Sequence, residues 1–304
     1  MEKNIFNSFV LITLSAITQM VFGQGCSDAG FCTLNSFKPS KQETELVKNN
    51  QIKIGAFIGS ADNSISVWGN YMEYNRQITN KFGLDARINT LAQNGNDLSV
   101  FGVSELFLTG KLSIFKRFKL TLGTKIPLAN GNRKDNSLPL PMDYQSSLGT
   151  FDLILGGGYE FKKISFVLAL QQPLSQNKNE FLAENYPAGS PLRNFQSTNK
   201  FIRSGDILLR VSYPFNIGQK LTLTPSLLPI YHLANDQYTD ITGVEKEITG
   251  SQGLTLNGNL YIDYELNQRN ALQLNAGIPF VVRDVRPDGL TRSFVVNLEY
   301  KINF

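Results

Sequence analysis

Histidine occurs once in this 304-residue chain, at His232, and cysteine twice, at Cys26 and Cys32. An imidazole does acyl-transfer chemistry only with a hydroxyl or thiol in hydrogen-bond reach and a third group to orient it. A serine two residues after the histidine would supply that on one strand face, but the position holds Ala234. His232 therefore reads as a polar side chain rather than a general base. Asp263 and Glu265 could form a carboxylate pair, yet an alternating polar face produces such pairs without catalysis. Gly156-Gly157-Gly158 sits inside the apolar stretch FDLILGGGYEF. There, glycines permit a kink or close packing rather than cradle a phosphate. No spacing of histidine, cysteine and carboxylates suits a metal. The residues predict neither an enzyme nor a cofactor.

Cys26 and Cys32 are close enough in sequence for a disulfide closing a small loop, which an oxidising compartment would favour. Lipid modification of Cys26 is the competing reading, although Gly23 stands where a leucine is usual. A metal site would need further ligands, and no histidine lies near.

The elements that carry these residues are strands. Phe294, Val296, Leu298, Tyr300, Ile302 and Phe304 fall at every second position of the last eleven residues, with Asn297, Glu299, Lys301 and Asn303 between them. A strand sends alternate side chains to opposite faces, so this segment has one apolar and one polar face. Ending on such a strand with an aromatic resembles the C-terminal sorting signal of outer-membrane β-barrels, which implies the barrel-assembly machinery as a partner. The same period of two recurs in eleven further segments. The twelve predicted strands are 51–60, 64–78, 82–92, 98–114, 118–129, 150–161, 164–174, 204–215, 221–234, 253–266, 271–283 and 292–304. The expected fold is all-β: an antiparallel transmembrane β-barrel of about 12 strands.

The links between strands sort by length. Thr79–Lys81, Phe115–Arg117, Lys162–Lys163, Asn216–Lys220 and Asn267–Asn270 follow even-numbered strands and are short. Of the links after odd-numbered strands, Ala61–Asn63 and Gln93–Asp97 are short as well, Asn130–Gly149, Ser175–Arg203 and Asn235–Gln252 are long, and Asp284–Thr291 is intermediate. Short periplasmic turns opposite longer outside loops are a property of outer-membrane barrels, and an even strand number then puts both termini in the periplasm. Phe115, Phe118, Phe161, Phe215, Tyr264 and Phe304 lie near the short-link end, where an interfacial girdle is expected. Pro225, Pro229 and Pro279 run against the pattern, because a closed sheet has no free edge for a missing N–H. They require bulges or different strand limits.

The N-terminus predicts export. Lys3 precedes the apolar run Ile5–Ile17, and Val21-Phe22-Gly23 suits cleavage, so residues 1–23 read as a signal peptide. Residues 24–50 read as a polar leader, either a periplasmic tail or a plug, and residues 51–304 as the barrel. Charge is scattered, with 29 Lys and Arg against 25 Asp and Glu and a net +4. Such a distribution excludes nucleic acid as a partner. The lumen-lining candidates are Asp85, Arg87, Glu105, Lys111, Lys119, Lys125, Asp152, Arg210, His232, Asp263, Glu265, Glu299 and Lys301. Their signs nearly balance, so selection by ion sign is not expected.

The leader GCSDAGFCT, Gly25 to Thr33, followed by Lys38-Pro39, resembles the start of a group of Gram-negative transporter-type barrels. The overall plan is similar to the MetA-pathway aromatic-degradation outer-membrane transporter family. That resemblance implies passive uptake of small, hydrophobic or aromatic solutes through the lumen in the bacterial outer membrane. The Asn-Pro-Ala plug motif of fatty-acid channels is absent from the mature N-terminus, which argues against lateral fatty-acid transfer. A non-transporting barrel acting as scaffold or accessory subunit of an envelope complex is the alternative.

Overall fold

Alternating faces become a barrel only if the sheet closes, and here it does. The computed structural model describes residues 30–39, 49–115, 117–288 and 292–304. The expected signal peptide, Cys26 and residues 40–48 lie outside them. Twelve long strands follow in chain order: β1 (Asn50–Ala61), β2 (Ser66–Gln77), β3 (Phe82–Gly95), β4 (Leu98–Phe115), β5 (Phe118–Pro127), β6 (Phe151–Phe161), β7 (Ile164–Ser175), β8 (Asp206–Ser212, resumed at Phe215–Ile217), β9 (Leu221–His232), β10 (Gly253–Glu265), β11 (Asn270–Val281) and β12 (Arg292–Asn303). Each pairs antiparallel with its chain neighbours, and β12 closes the sheet on β1, with Ile58 opposite Val296 and Ile54 opposite Tyr300. Closure leaves no sheet edge unpaired, which a hydrocarbon environment demands.

The exterior is apolar. Ile54, Ile58, Met72, Leu122, Leu168, Ile278 and Leu298 each expose more than half of their surface. Trp68, Met72 and Tyr74 point outward together with Asn70 and Arg76, so even the weakly patterned β2 keeps strict alternation. Phe115, Phe161, Phe215, Tyr264 and Phe304 are exposed around the short-turn end. A continuous apolar band flanked by aromatics is the surface of a transmembrane barrel of the outer-membrane kind. Arginine on that band costs about 2–4 kcal/mol at mid-membrane. Leu122→Arg should lose stability on that scale in a denaturant titration of the folded barrel, whereas an unchanged midpoint would mean Leu122 faces water.

The prolines find two different solutions. At Pro279 the β10–β11 register shifts, with Leu256 opposite Val281 and Asn257 opposite Pro279, so a bulge absorbs it. Pro225 and Pro229 remain in unbroken register with β10. The carbonyl of Pro225 accepts from the Tyr213 N–H, so its own missing N–H belongs to the β8 side. A strand residue directs N–H and C=O to the same neighbour, and Pro229 shares that side. The β8–β9 ladder is interrupted there, between the pairs Leu208–Ile230 and Val211–Leu227. β8 is also shorter than its predicted span of 204–215, breaking around Tyr213-Pro214.

Candidate functional site

The lumen holds the polar face of every strand, and residues 30–39 of the leader lie inside it. These ten residues sit where the plug reading of the leader would put them. Two short 3₁₀ turns, Phe31–Thr33 and Asn35–Phe37, fold it compactly. Its apolar side chains Cys32, Leu34 and Phe37 pack in a buried cluster with Phe107, Ile154 and Val167 of the wall. A Cβ built on Gly156 would stand 2.3 Å from the Phe37 ring. Gly156, the first of the glycine run inside β6, therefore serves close packing, and its partner is the plug.

Polar bonds from several strands hold the plug in place. Arg210 on β8 donates one Nη to the Phe37 carbonyl and the other, at 3.0 Å, to the Cys32 carbonyl. Arg87 on β3 donates to the Thr33 carbonyl at 2.9 Å. Asn35 accepts from Lys53 at 2.5 Å and donates to Asn75 at 3.2 Å. Ser36 reaches Asp85 at 3.4 Å. Lys38 pairs with Glu299 at 3.0 Å, and the Tyr71 hydroxyl donates to the same carboxylate at 2.6 Å. Burial would lower the Lys38 pKa, but Glu299, Tyr71 and Glu73 together outweigh it and raise the ammonium above its ordinary range. Tyr71 lies over Gly55, where a Cβ would meet its ring at 2.2 Å. The Arg87 guanidinium stacks on that ring at 3.7 Å, a cation–π contact sheltered from water.

Most of the charged strand residues on the less exposed faces are paired with one another or with polar neighbours. Lys125 and Asp152 form a fully buried pair at 2.8 Å, and Thr150 accepts from the same ammonium. Glu105 accepts from the Ser147 hydroxyl and the Leu148 N–H. A one-residue bulge between β3 and β4, near Ile88 and Thr90, lets Ser104 and Glu105 both turn inward. Asp85 pairs with Lys111 at 3.0 Å and Lys119 with Glu160 at 3.7 Å. Lys301 bridges Asp263 at 3.0 Å and Glu299 at 3.6 Å. Glu265 is half-buried near the short-turn end.

His232 belongs to a cluster at the long-loop end. Its Nδ1 lies 2.7 Å from Asp206 and its Nε2 2.8 Å from Asp236, so both ring nitrogens are taken. Arg203 pairs with Asp206 and Asp288, and Arg283 with Asp288 at 3.1 Å. Burial would raise the Asp288 carboxyl, but Arg283 and Arg203 hold it well below the usual carboxylate range. The cluster ties the links 176–205, 233–252 and 282–291 together. Sequence reading found only His232 among its members, because the others come from irregular links or from a strand end where alternation carries no signal.

Space remains on both sides of the plug. At the short-turn end a cup of about 480 Å³ is lined by Lys81, Lys111, Arg117, Lys119 and Glu160, with Asn35, Ser36 and Lys38 in its wall. Toward the long loops a smaller cavity of about 80 Å³ touches Gly30, Cys32 and Thr33. The Cys26–Cys32 pairing rests on a residue outside the described part of the chain; Cys32 itself is fully buried.

No family model and no curated protein matches the sequence. Among solved structures, the fold is similar to an outer membrane channel from Pseudomonas putida F1, at 15% identity and TM-score 0.60, covering 88% of this chain and 99% of that one. It also aligns with the NanC porin (6% identity, TM-score 0.47, 84% of this chain and 100% of that one) and with the CymD monoaromatic hydrocarbon channel (7%, 0.45, 93% and 95%). The first likeness, the closed sheet and the apolar exterior together establish a twelve-stranded outer-membrane-type β-barrel.

Proposed function

We propose that the chain is an outer-membrane channel for small solutes, passive in mechanism, whose lumen is closed at rest by residues 30–39. The observation that carries this reading is the chemistry of the plug's attachment. It is held mainly by hydrogen bonds and ion pairs to lumen walls, with space on either side, so it can shift and exchange those bonds for water. The likeness to a barrel described as an outer membrane channel supports the same role. Occupation of both His232 nitrogens by carboxylates supports a non-enzymatic barrel. The start of β1 at Asn50 and the last residue, Phe304, meet at the short-turn end, and periplasmic termini, an exported leader stabilised by a Cys26–Cys32 disulfide, and insertion through the barrel-assembly machinery complete the proposal.

Proteoliposome swelling is the test. The native protein should give slow but measurable solute entry, increased when the plug is loosened. A barrel that stays impermeable after loosening would refute the channel.

The filled lumen favours one further reading, a non-transporting barrel in an envelope complex. Extraction in mild detergent distinguishes them: a lone monomer removes the scaffold, and a defined heteromeric complex supports it.

A further inference from the structure

The cavity above the plug has a composition that the channel reading does not use. Its wall includes the rings of Phe57, Phe107 and Tyr261 beside the amides of Asn259, Asn275 and Asn297. Five buried polar groups on this one cavity find no hydrogen-bond partner among the described residues: Asn259 Oδ1, Asn275 Oδ1, Asn297 Oδ1, Glu105 Oε2 and Arg210 Nε. All five residues are more than nine-tenths buried. A buried acceptor without a donor costs about 1–3 kcal/mol, so five around one small space mark it as built for an occupant.

The orientation of these groups follows from neighbours. Asn297 donates its Nδ2 to the Tyr71 hydroxyl at 3.0 Å, which turns its carbonyl the other way. Asn275 stands opposite Asn297 across the β11–β12 ladder. Gly277, opposite Asn259, leaves room for that amide, since a Cβ there would lie 2.5 Å from its Nδ2. Both terminal nitrogens of Arg210 are spent on plug carbonyls, which leaves Nε as a single donor. The site thus offers four acceptors, one donor and aromatic walls. Lys38 is balanced by Glu299 and Arg87 by Glu73, while Glu105 and Arg210 put one charge of each sign on the wall.

We infer that this cavity is a binding subsite for a small neutral polyol. A hydroxyl donates and accepts at once, so it can satisfy carbonyl oxygens and the lone Nε–H together, and the carbon skeleton lies against the rings. An apolar solute would leave all five groups unmatched, and an ion of either sign would meet the like charge of Arg210 or Glu105. The volume of about 80 Å³ is below the roughly 150 Å³ that admits benzene to an apolar cavity. A two-carbon diol is the fit. This class differs from the hydrophobic or aromatic solutes implied by the family resemblance, and it rests on the lumen being a solute path only for its purpose, not for binding. Because Gly30, Cys32 and Thr33 form part of the wall, an occupant is linked to the plug and stabilises the plugged state.

Calorimetry on the detergent-solubilised full chain with ethylene glycol, erythritol, toluene and acetate tests the inference, paired with hydrogen exchange over residues 30–39. Expected are saturable binding of ethylene glycol at millimolar concentration, weaker binding of the larger erythritol, and slower exchange of the plug amides with the diol present. Binding should weaken at least tenfold in Asn259→Leu/Asn275→Leu, with Asn259→Ser as a milder variant should that barrel not fold. No polyol binding, equal binding by the variants, or a preference for toluene or acetate would overturn it. Polyol binding without flux would refute the channel and leave the subsite standing; flux without polyol binding would do the reverse.

Discussion

Replacing Arg210 and Lys38 together, as Arg210→Met/Lys38→Met, is expected to raise solute flux through the barrel at least a hundredfold in planar bilayers or proteoliposomes. Arg210 alone supplies two charge-assisted bonds to plug carbonyls, each worth about 1.5–3 kcal/mol net. Lys38 adds the ion pair with Glu299. A loss of about 3 kcal/mol from the closed state shifts an open–closed equilibrium by more than two powers of ten, at about 1.4 kcal/mol per tenfold. Methionine keeps the bulk of each stem, so the barrel wall is little altered. The variant should also expose residues 30–39 to added protease more readily than the native chain. Unchanged flux with the plug demonstrably freed would mean that the lumen is closed by something else.

The second large effect is on stability. Lys125→Met should destabilise the folded barrel by about 3–5 kcal/mol, the usual cost of stranding one member of a buried ion pair. Both side chains of the Lys125–Asp152 pair are fully buried, and Gln171 also donates to that carboxylate. The double variant Lys125→Met/Asp152→Leu removes the stranded charge and should recover most of the loss, since apolar replacement of a whole pair is often neutral. Denaturant unfolding followed by the gel mobility of folded and unfolded forms measures both. A single variant within 1 kcal/mol of the native protein would show that water reaches the pair.

Alternation made the wall legible in sequence almost residue by residue, because lipid on one side and lumen on the other impose a period of two on every strand. Eleven of the twelve strands lie close to their expected limits, and the twelfth is broken by Pro214. The inward placement of Asp85, Arg87, Arg210 and Glu299 follows from the same period. What alternation could not provide is who meets whom across the lumen. Lys38 and Glu299 are 261 positions apart in sequence, and only closure of the sheet brings them together. The leader has no periodicity, so its sequence leaves tail and plug equivalent, and the bonds that Arg210, Arg87 and Lys53 make to its backbone and to Asn35 have no signature in it. Tyr71 escaped notice for a different reason. It is a large aromatic on the polar face of β2, and its place there depends on Gly55 opposite, a pairing that a single strand does not reveal.

The most direct test of the plugged channel is a disulfide between plug and wall. Asn35 and Asn75 touch at 3.2 Å, and Asn35→Cys/Asn75→Cys can be placed in a chain with Cys26 and Cys32 replaced by serine. The predicted result is a cross-link on oxidation that abolishes flux and a return of flux when dithiothreitol cleaves it. Failure of the two cysteines to join, or flux that is the same in the oxidised and reduced barrel, would contradict the account.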